Sequence, residues 1–126
     1  MKKDVAIWNI NSFGEFYLQI AQKYESSYRA GLEKLRAERA RFSAALAAAG
    51  GAKGSLRPIP SQANYIMAEV SGMTSRELCE RLLAEHDLLL KDLEPKMENA
   101  GQYVRIAVRT PEDDDKLVAA LKEVFA

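Results

Sequence analysis

The chain has 126 residues, of which 48% are hydrophobic and 29% charged. That is enough for one packed core, since a chain of this size buries about two-thirds of the surface that it exposes when unfolded. Lys plus Arg number 18 and Asp plus Glu number 18, so the net charge is zero, which argues against a general nucleic-acid or membrane-surface role because phosphate groups select for a basic excess.

Signals for targeting and for an oxidising compartment are absent from the sequence. Cys79 is the only cysteine, so no internal disulfide is possible and a reducing, cytoplasmic location is expected. No apolar run approaches the roughly 20 residues of a membrane span. The first residues, Met1-Lys2-Lys3-Asp4, lack the apolar stretch of a signal peptide.

The N-terminal segment predicts an extended entry followed by an aromatic helix. Residues 1–11 are expected to be extended and then to turn, and Ser12 and Glu15 have the spacing of a capping box with Ser12 as N-cap. Apolar residues follow at helical spacing: Phe16, Tyr17, Ile20 and Tyr24. This helix is more aromatic than a solvent-exposed one normally is. Either it covers a sheet face in the same chain, or it contacts a missing domain or a second copy.

A second helical stretch is predicted to extend to about Ala49. Ser26-Ser27 either interrupts or only bends it, and Gly50-Gly51 ends it, because glycine favours the position that follows a helix. Its apolar stripe is broken by Arg39. The stripe consists of Leu32, Leu35, Phe42 and Leu46.

A strand and a helix are predicted next. Pro58 and Pro60 keep the chain extended, and Ala63–Val70 follows as a strand. The segment Thr74-Ser75-Arg76-Glu77 has the form of a second capping box and opens a helix that ends near His86. The buried side of this helix is predicted to carry Leu78, Leu82 and Leu83.

The last segments predict two strands and a helix. Leu88-Leu89-Leu90 is a short apolar run, and Tyr103–Arg109 alternates, with Val104, Ile106 and Val108 on one face. Thr110-Pro111-Glu112-Asp113 combines an N-cap, a proline at N1 and acidic residues in the first turn. The final helix is predicted to bury Leu117, Val118, Leu121, Val124 and Phe125.

The fold class is therefore expected to be α+β. The order β-α-β-β-α predicts a small antiparallel sheet with helices on one face, preceded by a long N-terminal helix. The opposite face of the sheet would be left for something else.

Residues typical of metal or nucleophile chemistry are sparse. His86 and Cys79 are single residues without zinc-ligand spacing, so a helix-end cation and a small packed residue are expected. The acidic run Glu112–Asp115 is explained by the positive N-terminal end of a helix dipole. Arg105 stands mid-strand, where valine or threonine is usual. Its planar guanidinium matches a carboxylate, although from the pattern alone an exposed arginine on a solvated sheet face is the simpler explanation.

Five segments, in order, resemble the C-terminal part of pyridoxal-phosphate (PLP) aminotransferases of the histidinol-phosphate type. Trp8-Asn9-Ile10-Asn11-Ser12 is similar to the hinge after the large domain, and the long helix to Ala49 is similar to the interdomain helix. Pro60-Ser61-Gln62-Ala63-Asn64-Tyr65 resembles the family's "PSxAN(F/Y)" strand. Leu88-Leu89-Leu90-Lys91-Asp92 resembles "(I/L)xVRD", and Tyr103–Val108 with Thr110-Pro111-Glu112 resembles "yxRIsvGtpeE".

The resemblance implies a domain plan and a set of substrate-binding residues. Residues 1–13 are the hinge segment, 14–50 the interdomain helical region and 51–126 the α+β small domain of a fold-type I enzyme. By this resemblance Arg105 holds the α-carboxylate of an amino-acid substrate, Lys91 replaces a second anion-binding arginine, and Asn11 of the hinge also contacts substrate. Arg109, which replaces the family's usual glycine, also occurs in relatives resembling threonine-phosphate decarboxylase.

The resemblance also implies that the cofactor chemistry belongs to a large PLP-binding domain missing from this chain. The Schiff-base lysine lies upstream in the family, so no residue here is assigned to catalysis, cofactor or metal. The parent is expected to be a homodimeric PLP-dependent aminotransferase acting on amino acids or amino-acid phosphates, and the chain alone to be inactive. The alternatives are a threonine-phosphate decarboxylase-like enzyme and a non-enzymatic ligand-binding or dimerisation module.

Overall fold

The computed structural model describes residues 10–97 and 101–126. The predicted extended entry and the Trp8-Asn9 part of the hinge therefore lie outside the described residues. The chain divides into two compact units, Met1–Lys34 and Leu35–Ala126. The domain limits that the resemblance implies stay predictions. Among the described helices, none is long and apolar enough to cross a membrane.

The first unit is helical. It contains α1 (Ser12–Ala21), a single 3-10 turn (Gln22–Tyr24) and the beginning of α2 (Glu25–Ala47). The N-cap of α1 is Asn11, whose side-chain oxygen accepts a hydrogen bond from the Gly14 N–H at 2.9 Å. The N-cap predicted at Ser12 is therefore wrong by one residue. Asparagine is at least as good an N-cap as serine, and Asn11, which precedes Ser12, occupies the N-cap position.

The interruption between the two helices lies at the 3-10 turn, and Ser26-Ser27 is part of α2. Apolar side chains of α1 are largely exposed in the described structure, Phe13 by 83% and Leu18 by 63%. What covers them remains a prediction.

The second unit is built on a four-stranded antiparallel sheet. Its strands are β1 (Ser55–Ile59), β2 (Tyr65–Ser71), β3 (Lys91–Asp92) and β4 (Tyr103–Ala107), in the spatial order β1-β2-β4-β3. The remaining helices are α3 (Ser75–His86) and α4 (Pro111–Phe125). The expected α+β class, with helices against an antiparallel sheet and a long N-terminal helical segment, is confirmed.

Strand β1 was not predicted, because Pro58 and Pro60 favoured an extended connection over a strand. The structure places this strand at the edge of the sheet, where a proline costs no ladder hydrogen bond on its outer side.

Glycines before this strand let the chain pack tightly beside it. Helix α2 ends at Ala47, before Gly50-Gly51. A Cβ at Gly51 would meet the Phe125 carbonyl oxygen at 2.3 Å, so this glycine serves packing and does not cap the helix.

The strand predicted at Leu88-Leu89-Leu90 is wrong, since β3 is Lys91–Asp92. The leucines belong to the termination of α3: Asp87 takes a left-handed conformation and the Leu88 N–H bonds to the Leu82 carbonyl oxygen at 3.0 Å. Leu89 is accordingly 79% exposed. Leu83 is also exposed, because it is rotated by one residue from the buried stripe of Leu78 and Leu82.

The hydrophobic core lies between the sheet and the helices. The alternation predicted for β4 is confirmed, with Val104 and Ile106 buried and Arg105 exposed, and Val108 beyond the strand is buried too. The five residues predicted for the core side of α4 are all buried. Thr74 and Thr110 cap α3 and α4 as predicted. Each side-chain oxygen accepts a hydrogen bond from the main-chain N–H three residues later, at Glu77 and Asp113.

Candidate functional site

The open face of the sheet is the side that the core helices leave uncovered. Adjacent residues of a strand point to opposite faces. In β4 the buried residues Val104 and Ile106 therefore alternate with Tyr103, Arg105 and Ala107 on the open face. Arg105 lies at the centre of this strand and is exposed.

Lys91 lies directly opposite Arg105 on the neighbouring strand. Cross-strand partners share a face, with their Cβ atoms about 5 Å apart. Two unit charges about 4 Å apart repel by about 1 kcal/mol in water, and the repulsion falls as the long side chains spread apart. No carboxylate of the described residues pairs with either side chain, so the open face carries two adjacent cations that an anion would stabilise.

Tyr65 supports the guanidinium of Arg105. The Arg105 Cζ atom lies 5.4 Å from the centroid of the Tyr65 ring. Stacking of this kind orients the guanidinium while its N–H groups remain available to a ligand. The loop that leads into β2 is itself tied down, because Arg39 donates to the Ala63 carbonyl oxygen at 2.9 Å and Ser61 to that of Tyr65.

Sequence reasoning missed Tyr65 as a site residue. The residue was visible within the strand motif, but its position beside Arg105 depends on the pairing of β2 with β4, in which Tyr65 faces Ala107 and Met67 faces Arg105.

Two further charged residues on the open face neutralise each other. Arg57 pairs with Glu69 through a hydrogen bond of 2.8 Å from Nε.

A polar network lies beneath β3, on the buried side of the sheet. Ser75, fully buried at the first residue of α3, donates its hydroxyl hydrogen to Asp92 Oδ1 at 2.7 Å. The Ser75 main-chain N–H donates to Gln102 Oε1 at 2.8 Å. Asp92 Oδ1 also accepts the Glu94 N–H at 3.0 Å. The network therefore joins α3 to both strands of the cation pair.

The third predicted site residue, Asn11, belongs to the first unit. Its side-chain oxygen is already engaged as the N-cap of α1. Its role toward a substrate stays a prediction. Arg109, also singled out from the sequence, forms a local ion pair with Asp113, with Nε 2.9 Å from Oδ2.

The remaining titratable groups point to structural roles. Burial, with the charges of Asp92 and Glu80 adding to it, raises the pKa of the Cys79 thiol to about 11, so a thiolate nucleophile is disfavoured at neutral pH. Burial likewise raises the pKa of Asp114 to about 6. Within residues 10–97 and 101–126, no group of three or more His, Cys, Asp and Glu side chains could hold a metal ion.

The described residues do not by themselves fit PLP. A Schiff-base lysine must be sheltered from water to lose its proton near neutral pH. Every lysine in the described part of the chain is exposed. Two grooves of about 540 Å³ and about 370 Å³ lie in the second unit, and neither has Arg105 or Lys91 in its wall. Arg105 and Lys91 are both exposed, so the cation pair is an open surface, able to bind and orient an anion.

No model of a known protein family matches the chain, but individual proteins do. It is similar to CMP-5'-(3-aminopropyl)phosphonate synthase of Streptomyces rubellomurinus, with 25% identity over 126 residues, 98% of this chain and 19% of that protein. It is 39% identical over 70 residues to histidinol-phosphate aminotransferase of Methanococcus aeolicus, 55% of this chain and 19% of that protein. With L-serine phosphate decarboxylase of Sulfurospirillum multivorans it shares 28% identity over 122 residues, 94% of this chain and 30% of that protein.

Solved structures agree with these sequence relatives. A decarboxylase from Sulfurospirillum multivorans superposes with a TM-score of 0.83 and 26% identity, over 99% of this chain and 32% of that one. The histidinol-phosphate aminotransferase from Clostridium acetobutylicum gives 0.80 and 26%, over 98% and 36%. The chain thus spans between 19% and 36% of the length of these proteins. Its relatives are histidinol-phosphate aminotransferases, serine-phosphate decarboxylases and related PLP-dependent fold-type I enzymes, and the match is consistent with a C-terminal fragment of such an enzyme.

Proposed function

We propose that the open face of the second unit binds the carboxylate of an amino-acid substrate, as part of a PLP-dependent aminotransferase acting on amino acids or amino-acid phosphates. Arg105 donates two parallel hydrogen bonds to the α-carboxylate. Lys91 supplies a second positive charge, as a point charge without a fork. The observation that carries the proposal is the register that sets Lys91 opposite Arg105, with no carboxylate of the described residues on either.

The names of the relatives support this choice of ligand. Histidinol phosphate and L-serine phosphate both carry a phosphate group, and L-serine phosphate carries a carboxylate as well. Two anionic groups on one small molecule suit two cations on neighbouring strands. Fixing these groups orients the bonds at the substrate's Cα, while PLP, when bound, supplies the electron sink.

The chain alone is proposed to bind substrate without transforming it. Its described residues bind and orient, and none of its described lysines is sheltered. Mixed with PLP and O-phospho-L-serine, the purified chain should show neither the absorbance of lysine-bound cofactor nor any turnover. Appearance of that absorbance would contradict the proposed inactivity.

The proposed binding of a substrate carboxylate is tested by titrating the chain with O-phospho-L-serine and following the NMR spectrum of the chain. Signals of Arg105 and Lys91 should shift together. Arg105→Ala should weaken binding at least about 10-fold, because a charged hydrogen-bond donor is lost. The matched control is Arg57→Ala, which removes an arginine from the same face that is already paired with Glu69. Unchanged affinity in Arg105→Ala would refute the proposal.

Decarboxylation of an amino-acid phosphate is the second candidate function. It is favoured by two findings, the sequence match to L-serine phosphate decarboxylase and the structural match to a decarboxylase from the same organism. Binding alone does not separate the candidates, because both hold the carboxylate of O-phospho-L-serine. An enzyme that contains this chain and PLP would release CO2 from O-phospho-L-serine if it is a decarboxylase, and would transfer the amino group to a 2-oxo acid if it is an aminotransferase.

A further inference from the structure

Strand β3 is too short to fix its own position. It has two residues, Lys91 and Asp92, and among the described strands it pairs with β4 alone. One more main-chain hydrogen bond, from the Leu93 N–H to the Tyr103 carbonyl oxygen at 3.0 Å, continues this pairing. So few main-chain hydrogen bonds give marginal stability. The repulsion between Lys91 and Arg105 also favours separation of the two strands. Something besides the ladder must hold β3 in register.

The network beneath the sheet supplies that support. Successive strand residues point to opposite faces, so Lys91 stands on the open side while Asp92 turns toward the core. There its Oδ1 atom accepts the Ser75 hydroxyl at 2.7 Å, at the N-terminus of α3, where a negative charge is stabilised. Ser75 is bound in turn to Gln102, which immediately precedes β4. The same few atoms thus anchor β3 and the approach to β4 to one rigid helix.

We infer that Ser75 and Asp92 are positioning residues for the anion site: their partly buried hydrogen bond fixes the register of β3 and thereby holds Lys91 beside Arg105. The inference rests on the proposed function for its readout of affinity. Neither residue touches the ligand. Both act through the placement of the Lys91 ammonium group.

The test is a double-mutant cycle on the full chain, with O-phospho-L-serine as the probe. Asp92→Ala removes the acceptor, and Asp92→Asn keeps an Oδ1 atom for Ser75 and Glu94. Each is measured alone and with Lys91→Ala. Asp92→Ala should weaken binding about 5-fold, and Asp92→Asn should restore affinity to within about twofold of the unsubstituted chain. With Lys91 already removed, Asp92→Ala should have no further effect.

Equal weakening by Asp92→Ala in both backgrounds would overturn the inference, because it would show general loosening of the fold. No weakening in either background would overturn it as well. If Asp92→Ala fails to fold, as judged by the main-chain signals of β2 and β4, then Ser75→Ala takes its place in the cycle.

A second readout separates this inference from the proposed function. Cross-strand nuclear Overhauser contacts between residues 91 and 105 report the register directly. They should persist in Asp92→Asn and vanish in Asp92→Ala. If the contacts persist in Asp92→Ala, the positioning role is overturned. If they persist in Asp92→Asn and vanish in Asp92→Ala, but the chain binds no O-phospho-L-serine, the positioning role stands and the proposed function fails.

Discussion

The carboxyl group of Asp114 in α4 is buried near the carboxyl group of Glu38 in α2, whose negative charge helps to raise the pKa of Asp114. Asp114 is 2% exposed, and its Oδ1 atom accepts the Arg109 N–H at 3.1 Å. Burial, reinforced by Glu38, raises the pKa of Asp114 to about 6. Arg41 instead holds the pKa of Glu38 below its ordinary value. As the pH falls, Asp114 is therefore protonated before Glu38.

The stability of the second unit should fall as the pH rises from about 4 to about 6. In this window the unfolded chain has lost the Asp114 proton while the folded protein retains it, so deprotonation favours unfolding, by on the order of 2 kcal/mol in total. Urea unfolding at a series of pH values checks this. Asp114→Asn should gain stability relative to the unsubstituted chain across the window. The exposed neighbour Glu112→Gln is the control, and a parallel pH dependence in all three proteins would contradict the assignment.

Loss of the Tyr65 ring should weaken anion binding modestly. An exposed cation–π contact contributes about 0.5–1 kcal/mol, which corresponds to a roughly 2- to 5-fold change in affinity. Tyr65→Leu should show this change toward O-phospho-L-serine, and Tyr65→Phe should not, because phenylalanine keeps the ring. If Tyr65→Leu binds as tightly as the unsubstituted chain, the stack with Arg105 does not orient the guanidinium for a ligand.

Asn11 and Ser12 should differ in their effect on α1. Removing an N-cap side chain costs about 1 kcal/mol of helix stability. Asn11→Ala should therefore speed hydrogen exchange at the Gly14 amide, which Asn11 now binds. Ser12→Ala, one residue inside the helix, should leave that amide nearly unchanged. The opposite order would restore Ser12 as the cap.

Alanine should have opposite effects at two glycines. Gly72 has a φ of +92°, and a Cβ there would meet the Lys53 carbonyl oxygen at 2.3 Å. Gly72→Ala should lower the free energy of unfolding by about 2 kcal/mol or more. Gly31 lies inside α2, and an added Cβ there would meet no heavy atom within 4 Å. Gly31→Ala should therefore stabilise the helix by about 0.5–1 kcal/mol. Thermal melts followed by circular dichroism measure both, and similar effects at the two sites would refute this contrast.

The features that sequence predicted correctly are those set by local chemistry. Thr74 and Thr110 cap helices through their own side chains, and the alternation of β4 needs only a period of two. The features that were missed depend on tertiary structure. Pro58 by itself predicts an extended connection, and only the sheet order shows that its strand lies at an edge. Asp114 resembles the other acidic residues at the start of α4, and only its packing against α2 distinguishes it from them.

The candidate site divides in the same way. Resemblance to a family pointed to Arg105 and Lys91 separately, but their opposition follows from the pairing of two strands, in which these residues lie 14 positions apart in the chain. Tyr65 and Asp92 lie within the two strand motifs and Ser75 within a capping box, but nothing local marks any of them as a support of the site. Each is an ordinary residue for its element, and only the sheet register and the start of α3 bring them beneath or beside the cations.

The two borders of the sheet limit how the protein can associate with others. On one border Pro58 removes a main-chain donor from β1, and on the other β3 offers only two residues. Neither border provides a template on which a foreign strand could hydrogen-bond over any length. We therefore expect any companion polypeptide to recognise this chain mainly through side-chain surfaces, by shape and charge.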